Sequence, residues 1–585
     1  MSIRDFKIPT RLFAMAVLLF LNLSFLAIPA KPQDFNPPYP RIGQIYFYWP
    51  VQGPEIWKNH DLVIIRYKHN DAAREIKRLN PNAVLLACND RIVSHEGKWP
   101  VEWYLKCDRS MWGQGHCTNE GILYAGALPL LNITNECPRV DNGYGPQRFN
   151  EFLPQHLVDN TDYNYFDGTF FDYWGKQIWG SKVDYTDINN DYVSDGGSYV
   201  NQKWREGNET LVNNLRALNS KPIAAHESDN DYLNGNGFEF WPDLDKKRRM
   251  VNAFKIQQKS KQPAIIFAEG YGYEKGPDFG PKWRVDFTSS QIVGAFFGHD
   301  EGTAAHRFTF IHDEYEADLG HPLSGSAGDA QQIIPDLWVR YFEKGAIISN
   351  VTGSSYTLNN SQLDGRQYWR FKGGQDPAFN DGQKFTSVSF DGYDGIMLLT
   401  EPTTLMTPII IDNVSKNMTS PGQSPVNYSG TWEQIRWVWN VQIGKSSYGL
   451  GVTWGNEGYL YAISHQQGEA SYRPKFNVAG KYEIYEWHAD VREAGQTPCD
   501  NVKLVITSAE GTAEKTVDQS VNSGQWNSLG VYNFDEGSAG NIVLKAPDGC
   551  TTCSDAIRFV YDDPNVQIAD RTPPNPPRNI KVNSN

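Results

Sequence analysis

The chain has 585 residues, more than a single hydrophobic core serves, so ordinary domain sizes predict roughly two to four domains. A formal net charge of -14 and a pI of 5.4 exclude nucleic acid as the main partner, because no basic excess is present to neutralise phosphates. Aromatic residues make up 13%, with 18 Trp and 30 Tyr, which suits stacking on sugar rings and equally suits a Trp-rich β-sheet core.

At the start, "MSIRDFKIPTRLFAMAVLLFLNLSFLAIPAKPQ" places Arg4, Lys7 and Arg11 ahead of an apolar run and then Pro29-Ala30. This pattern predicts a secretory signal over residues 1–30, with an uncleaved anchor as the alternative. No later stretch is apolar and long enough to span a membrane, so the expected location is outside the cell or on its surface. Export suits the seven cysteines. Cys107, Cys117 and Cys137 cluster in one stretch and Cys499, Cys550 and Cys553 in another, while Cys88 in an apolar run reads as a buried thiol. Cys550-Thr-Thr-Cys553 has no second pair at zinc spacing and is a poor metal site.

From about residue 42 to 312, short apolar runs alternate with helical patterns. "IGQIYFYW", "LVIIRY", "AVLLAC", "FDGTFF", "PIAAHE", "GFEFW" and "AIIFAEG" suit strands buried on both faces. "DAAREIKRLN", "GSYVNQKWREGNETLVNNLRAL" and "DLDKKRRMVNAFKIQQKS" read as helices between them. Repeated βα units predict a (β/α)8 TIM barrel over 36–330. For its last unit the preferred reading is a helix in "QIVGAFFG" and the eighth strand in "AHRFTFI". Short strands with turn signals then predict a small antiparallel β-domain over 331–403. Strand-turn rhythm over 409–562 predicts a C-terminal β-sandwich, and the Pro-rich tail 563–585 reads as a linker resembling the start of a fibronectin type III module.

In such a barrel, carboxylates at the C-terminal ends of strands point into the mouth. Asp90, Asp172, Glu227, Glu239 and Glu269 stand at five strand ends. Cleavage of a glycosidic bond needs two of them, an acid for the leaving oxygen and a carboxylate that attacks carbon or activates water. Any one acid past a strand can instead cap the next helix. Tyr173 and Trp174 follow Asp172, Trp241 follows Glu239, and Tyr271 and Tyr273 follow Glu269, so each acid has a neighbouring ring for a sugar face. Asp90, Glu227, Trp174, Trp241 and Tyr271 are therefore the expected substrate contacts. His226, His299 and His306 stand as orienting or hydroxyl-binding groups and are not ranked as catalytic. HExxH, GxSxG and P-loop signatures are missing, and no cofactor is required.

"DYTDINNDYVSDGG" puts Asp187, Asn189, Asp191 and Asp195 at positions 1, 3, 5 and 9 of a calcium loop. Tyr192 replaces the usual Gly and Ser198 the usual Glu, so Ca2+ stands against a solvated Asx-rich turn.

Two resemblances add to this reading. "HDLVIIRY", "DGTFFDYWG", "HDEYEADLGHPLSG", "DLWVRYFEKGAIISNVTG" and "GGQDPAFNDG...DGIMLL" follow one another over 42–402 as in a bacterial family of hypothetical, glycosidase-like TIM-barrel proteins. The resemblance implies Asp172 and Glu239 as the paired catalytic acids; Asp172 is read as nucleophile or base and Glu239 as general acid, and the strand-end reading keeps Glu269 in reserve. "FNVAGKYEIYEWHAD", "TVDQSVNSGQWNSLGVYNFDEG" and "SDAIRFV" resemble the golvesin or xanthan-lyase C-terminal-like sandwich, which implies a non-catalytic module. Cys550 and Cys553 are inserted there and suggest a local staple. The expected function is hydrolysis of an extracellular polysaccharide. A non-catalytic glycan-binding or cell-surface protein is the alternative, and a polysaccharide lyase a further one.

Overall fold

The computed structural model describes residues 33–46, 60–90, 99–125, 128–175, 177–178, 183–226, 228–239, 241, 246–271, 280–300, 312–373, 376, 378–402, 408–413, 424–438, 457–476 and 478–562. The signal, Glu227, Tyr273, "AHRFTFI" with His306, and the tail from 563 lie outside the described residues.

Eight parallel strands form one sheet in chain order. They are β1 (Gly43–Tyr46), β2 (Leu62–Arg66), β3 (Val84–Asp90), β4 (Gly168–Asp172), β5 (Ile223–His226), β6 (Gly235–Phe238), β7 (Ile265–Tyr271) and β8 (Phe296–Asp300). A parallel bridge from Ile42 to Phe297 brings β1 against β8 and closes the barrel. Helices α1 (Asn70–Leu79), α2 (Phe149–Asn160), α3 (Gly197–Leu218), α4 (Lys246–Lys259) and α5 (Pro281–Ile292) follow β2, β3, β4, β6 and β7. No helix is described between β5 and β6, which are joined by residues 227–234. The eighth strand is corrected: "QIVGAFFG" holds the end of α5 and the start of β8, so the strand lies earlier than "AHRFTFI".

Alternation along each strand decides what faces the barrel axis. Ile45, Leu62, Ile64, Val84, Leu86, Cys88, Phe170, Ala224, Ile265, Phe267 and Phe296 form one inner cluster. Their neighbours Val63, Ile65, Leu85, Ala87, Phe171 and Ala225 belong to the layer under the helices. Each fully buried Ile, Leu or Phe contributes roughly 1.5–3 kcal/mol. Gly237 shares the inner parity, since a Cβ there would stand 2.7 Å from Phe170 Cζ.

Beyond the barrel, an antiparallel sheet of Gln331–Ile334, Leu337–Phe342, Gly345–Asn350, Asp394–Leu399 and Trp369–Arg370 packs on α5. Arg284 of α5 clamps Asp394 through Nε at 2.8 Å and Nη2 at 3.0 Å, and reaches Asp376 at 2.7 Å. The C-terminal region is a sandwich whose four-stranded and five-stranded sheets share one core, including Ile484 and Phe559 from one and Leu504 and Leu544 from the other. Among the described residues no helix is long and apolar enough to cross a membrane.

The disulfides join Cys107 to Cys117 and Cys499 to Cys550. Cys88 is the buried thiol expected, whereas the staple between Cys550 and Cys553 is corrected: Cys553 is a buried free thiol, as is Cys137.

Candidate active site

The inner parity that buries Leu86 and Cys88 carries on to Asp90, that of Phe170 to Asp172, and that of Ala224 to His226. Gly237 leads in the same way to Glu239, just past β6. Polar side chains therefore meet where these strands end, above an apolar plug.

Asp172 and Asp90 are register partners on adjacent strands. Asp90 is held by Arg66 of β2 at 2.8 Å. Asp172 accepts two hydrogen bonds, both on Oδ1. The Tyr173 amide N–H donates from 2.7 Å and His226 Nδ1 lies at 2.9 Å. Tyr173 reaches this position with φ at 50°, the left-handed region that costs a non-glycine residue of order 1–3 kcal/mol and clusters at functional sites. His226 turns its other nitrogen to Glu239, with Nε2 3.6 Å from Oε2. One ligand-type atom from each of Asp172, His226 and Glu239 lies within 4.8 Å of the other two, a grouping found nowhere else among the described residues. Both ring nitrogens face carboxylates, so the three form a chain of acid, imidazole and acid. Below them, burial first and then the charges of Asp90 and Asp172 push the Cys88 thiol well above its ordinary value, so the floor of the site is neutral.

Exposure separates the acids. The side chains of Asp172 and Glu239 are 9% and 25% exposed, whereas Glu269 on β7 is at 0%. Glu269, expected in reserve, is an enclosed carboxylate outside this grouping. Trp174 and Trp241, expected as substrate contacts, are corrected. At 4% and 2% exposure they are core residues, Trp174 stacked on Phe171 and Trp241 donating its indole N–H to Ser289 Oγ at 3.0 Å. Their faces are spent on protein. Glu227 and the side chain of Tyr271 lie outside the described residues. His226 is the member that sequence reasoning underrated, although its parity with Ala224 is the same signal that placed Asp172.

The loops after β3 and β4 are sewn together. Lys106–Cys107 pairs with Thr186–Asp187, Asn132 Nδ2 donates to the Ile188 carbonyl at 2.7 Å, and Ser194 N–H donates to Asp108 at 3.1 Å. At this seam Asp187 accepts backbone N–H groups of Asn190 and Tyr192 at 2.7 Å, Asn189 accepts from Asp191, Asp191 from Val193, and Asp195 from Ile188. Tyr192 takes φ of 69°, the conformation of the glycine it replaces in a calcium loop. Burial pushes the carboxyls of Asp187 and Asp195 up against these hydrogen bonds.

Residues 426–561 match the family model of the golvesin C-terminal domain. A xanthan lyase of Bacillus sp. (strain GL1) is 33% identical over 110 residues, 17% of this chain and 11% of that protein. The chain thus spans about a tenth of the length of this curated relative. Among solved structures, Paenibacillus xanthan lyase aligns at 16% identity over 45% of this chain and 28% of its own, with a TM-score of 0.22. An Arthrobacter globiformis T6 isomalto-dextranase complexed with panose aligns at 9% identity over 91% and 99%, with a TM-score of 0.34.

Proposed function

We propose that this chain is an exported glycoside hydrolase acting on an extracellular polysaccharide. The reading rests on one observation: Asp172 and Glu239 stand at the ends of β4 and β6, on either side of β5, with one carboxylate oxygen of each within 4.8 Å of the other. Separations of about 5–5.5 Å characterise retaining enzymes and roughly 6.5–9.5 Å inverting ones, so the arrangement favours retention. In the first step Asp172 Oδ2 attacks the anomeric carbon. The bond to the leaving oxygen breaks, and that oxygen takes the proton of Glu239. In the second, water gives its proton to Glu239 and its oxygen to the same carbon, releasing Asp172.

A lyase acting on uronates needs cations to neutralise the sugar carboxylate. Among the described residues at the strand ends the cation is Arg66, already paired with Asp90. Export accords with the two disulfides. For the loop 187–195 the proposal is a structural Ca2+, with Asp187, Asn189, Asp191 and Asp195 as the residues that would hold it and Ca2+ supplying cross-linking charge at the seam. Terbium luminescence and melting with and without chelator test it; a melting temperature indifferent to chelator sinks the ion.

The enzymatic reading is tested by screening purified protein against a panel of neutral and acidic polysaccharides, beside Asp172→Asn and Glu239→Gln. Cleavage by wild type, with kcat lowered roughly 10²–10⁴-fold in each variant, is expected. Full activity in both variants would remove the assignment.

A further inference from the structure

We propose that His226 is a positioning residue that settles which carboxylate attacks and which carries the proton, an inference that rests on the acid-pair reading above. Three strand ends supply the geometry. His226 Nδ1 lies 2.9 Å from Asp172 Oδ1, and its Nε2 lies 3.6 Å from Glu239 Oε2. With its proton on Nδ1, the ring donates to Asp172, and the Tyr173 amide donates to the same oxygen from 2.7 Å. Oδ1 is thereby committed to protein donors and Oδ2 is the oxygen presented to carbon.

The ring's second face then matters. A neutral imidazole with Nδ1 protonated turns a lone pair toward Glu239, and that lone pair is compatible with Glu239 in its acid form. The pair Nε2 and Oε2 therefore holds one proton, which leaves with the departing alcohol as the Asp172–carbon bond forms and returns from the attacking water as that bond breaks. No oxidant or further reactant enters. Asp172 lies on β4 and Glu239 beyond β6, while Asp90 on the adjacent β3 and Arg66 on β2 neutralise each other at 2.8 Å. Cys88 beneath stays neutral and Glu269 lies enclosed on β7. A ring held between two carboxylates at two strand ends thus makes unequal partners of two chemically similar acids.

The test uses the full chain labelled with 15N-histidine, with wild type, Asp172→Ala and Glu239→Gln. In wild type the protonated ring nitrogen of His226 is expected to be Nδ1. Asp172→Ala should move the Nδ1 resonance and Glu239→Gln the Nε2 resonance. A wild-type ring protonated on Nε2, or resonances unmoved by both substitutions, would each overturn the proposal. The kinetic arm uses a polysaccharide that wild type cleaves. His226→Asn retains a donor toward Asp172 but has no Nε2, so its kcat/KM should fall roughly tenfold with a displaced limb of the pH profile, against roughly 10²–10³-fold for His226→Ala. Equal losses in both variants on an unchanged pH profile would mark a merely structural ring. The expected NMR pattern in a protein that cleaves no polysaccharide supports the ring contacts and sinks the hydrolase reading alone.

Discussion

Asp172 and Trp174 are two positions apart on one motif and have opposite fates, because the strand ends between them. Asp172 keeps the inner parity of Phe170, while the turn at Tyr173 sends Trp174 back under the helices onto Phe171. A prediction separates core from stacking platform. Trp174→Ala should cost about 3–5 kcal/mol of stability, as large core truncations do, measured by urea unfolding. A stacking residue would instead raise KM at unchanged stability. The aromatic richness of the motif was visible in the sequence. Which face each ring takes was not, since a single left-handed residue reverses it.

At the level of elements, legibility followed periodicity. The 22-residue α3 is legible from Gly197 to Leu218 because its buried Val200, Trp204, Leu211 and Leu215 recur with helical spacing. Helix α2 was missed because Pro154 lies inside it. Helix α5 was misplaced for a different reason. Every residue from Trp283 to Ile292 is buried, between the barrel and the small sheet, so no polar stripe marks its outer face. Strand β6 carries the sharpest packing demand. Gly237→Ala would thrust a methyl group to 2.7 Å from the Phe170 ring, directly beneath Asp172. The expected loss is about 1–3 kcal/mol in urea unfolding, with activity falling more than stability alone explains. Reducing the bond between Cys499 and Cys550 belongs to the same scale. It closes a loop with a sequence separation of 51, and Cys550→Ser should lower stability by roughly 2–4 kcal/mol. An unchanged unfolding midpoint would show that the sandwich core suffices without it.

For the molecule as a whole, two buried groups predict greater stability at mildly acid pH. Burial first, with Asp313 and Asp376 nearby, raises Glu314 from 4.5 to about 7, although Asn380 donates to it at 2.6 Å. The folded state therefore binds this proton more tightly than the unfolded chain, and stability falls as pH rises from 4.5 to about 7, by on the order of 3 kcal/mol. In the sandwich, burial opposes charge on His488, but Glu486 at 3.0 Å and the Val521 carbonyl at 3.1 Å outweigh it and raise the group above 6.5. Its contribution is present below 6.5 and is lost as pH rises through the folded value. Urea unfolding at about pH 5 and about pH 8 checks the sign, and Glu314→Gln should flatten the barrel's share of the slope. A protein more stable at the alkaline end would refute both assignments.

What the amino-acid sequence determined by itself was local and periodic: βα alternation for a barrel, strand-turn rhythm for a sandwich, and acids at the ends of apolar runs. These follow from repeats of 2 and 3.6 residues and from turn chemistry, which operate within a few positions. Tertiary structure alone decided that Asp172, His226 and Glu239 come together while Glu269 is enclosed, and that Cys499 and not Cys553 pairs with Cys550. Those outcomes depend on barrel curvature and on which neighbouring strand end a side chain meets across it, distances that no spacing along the chain contains.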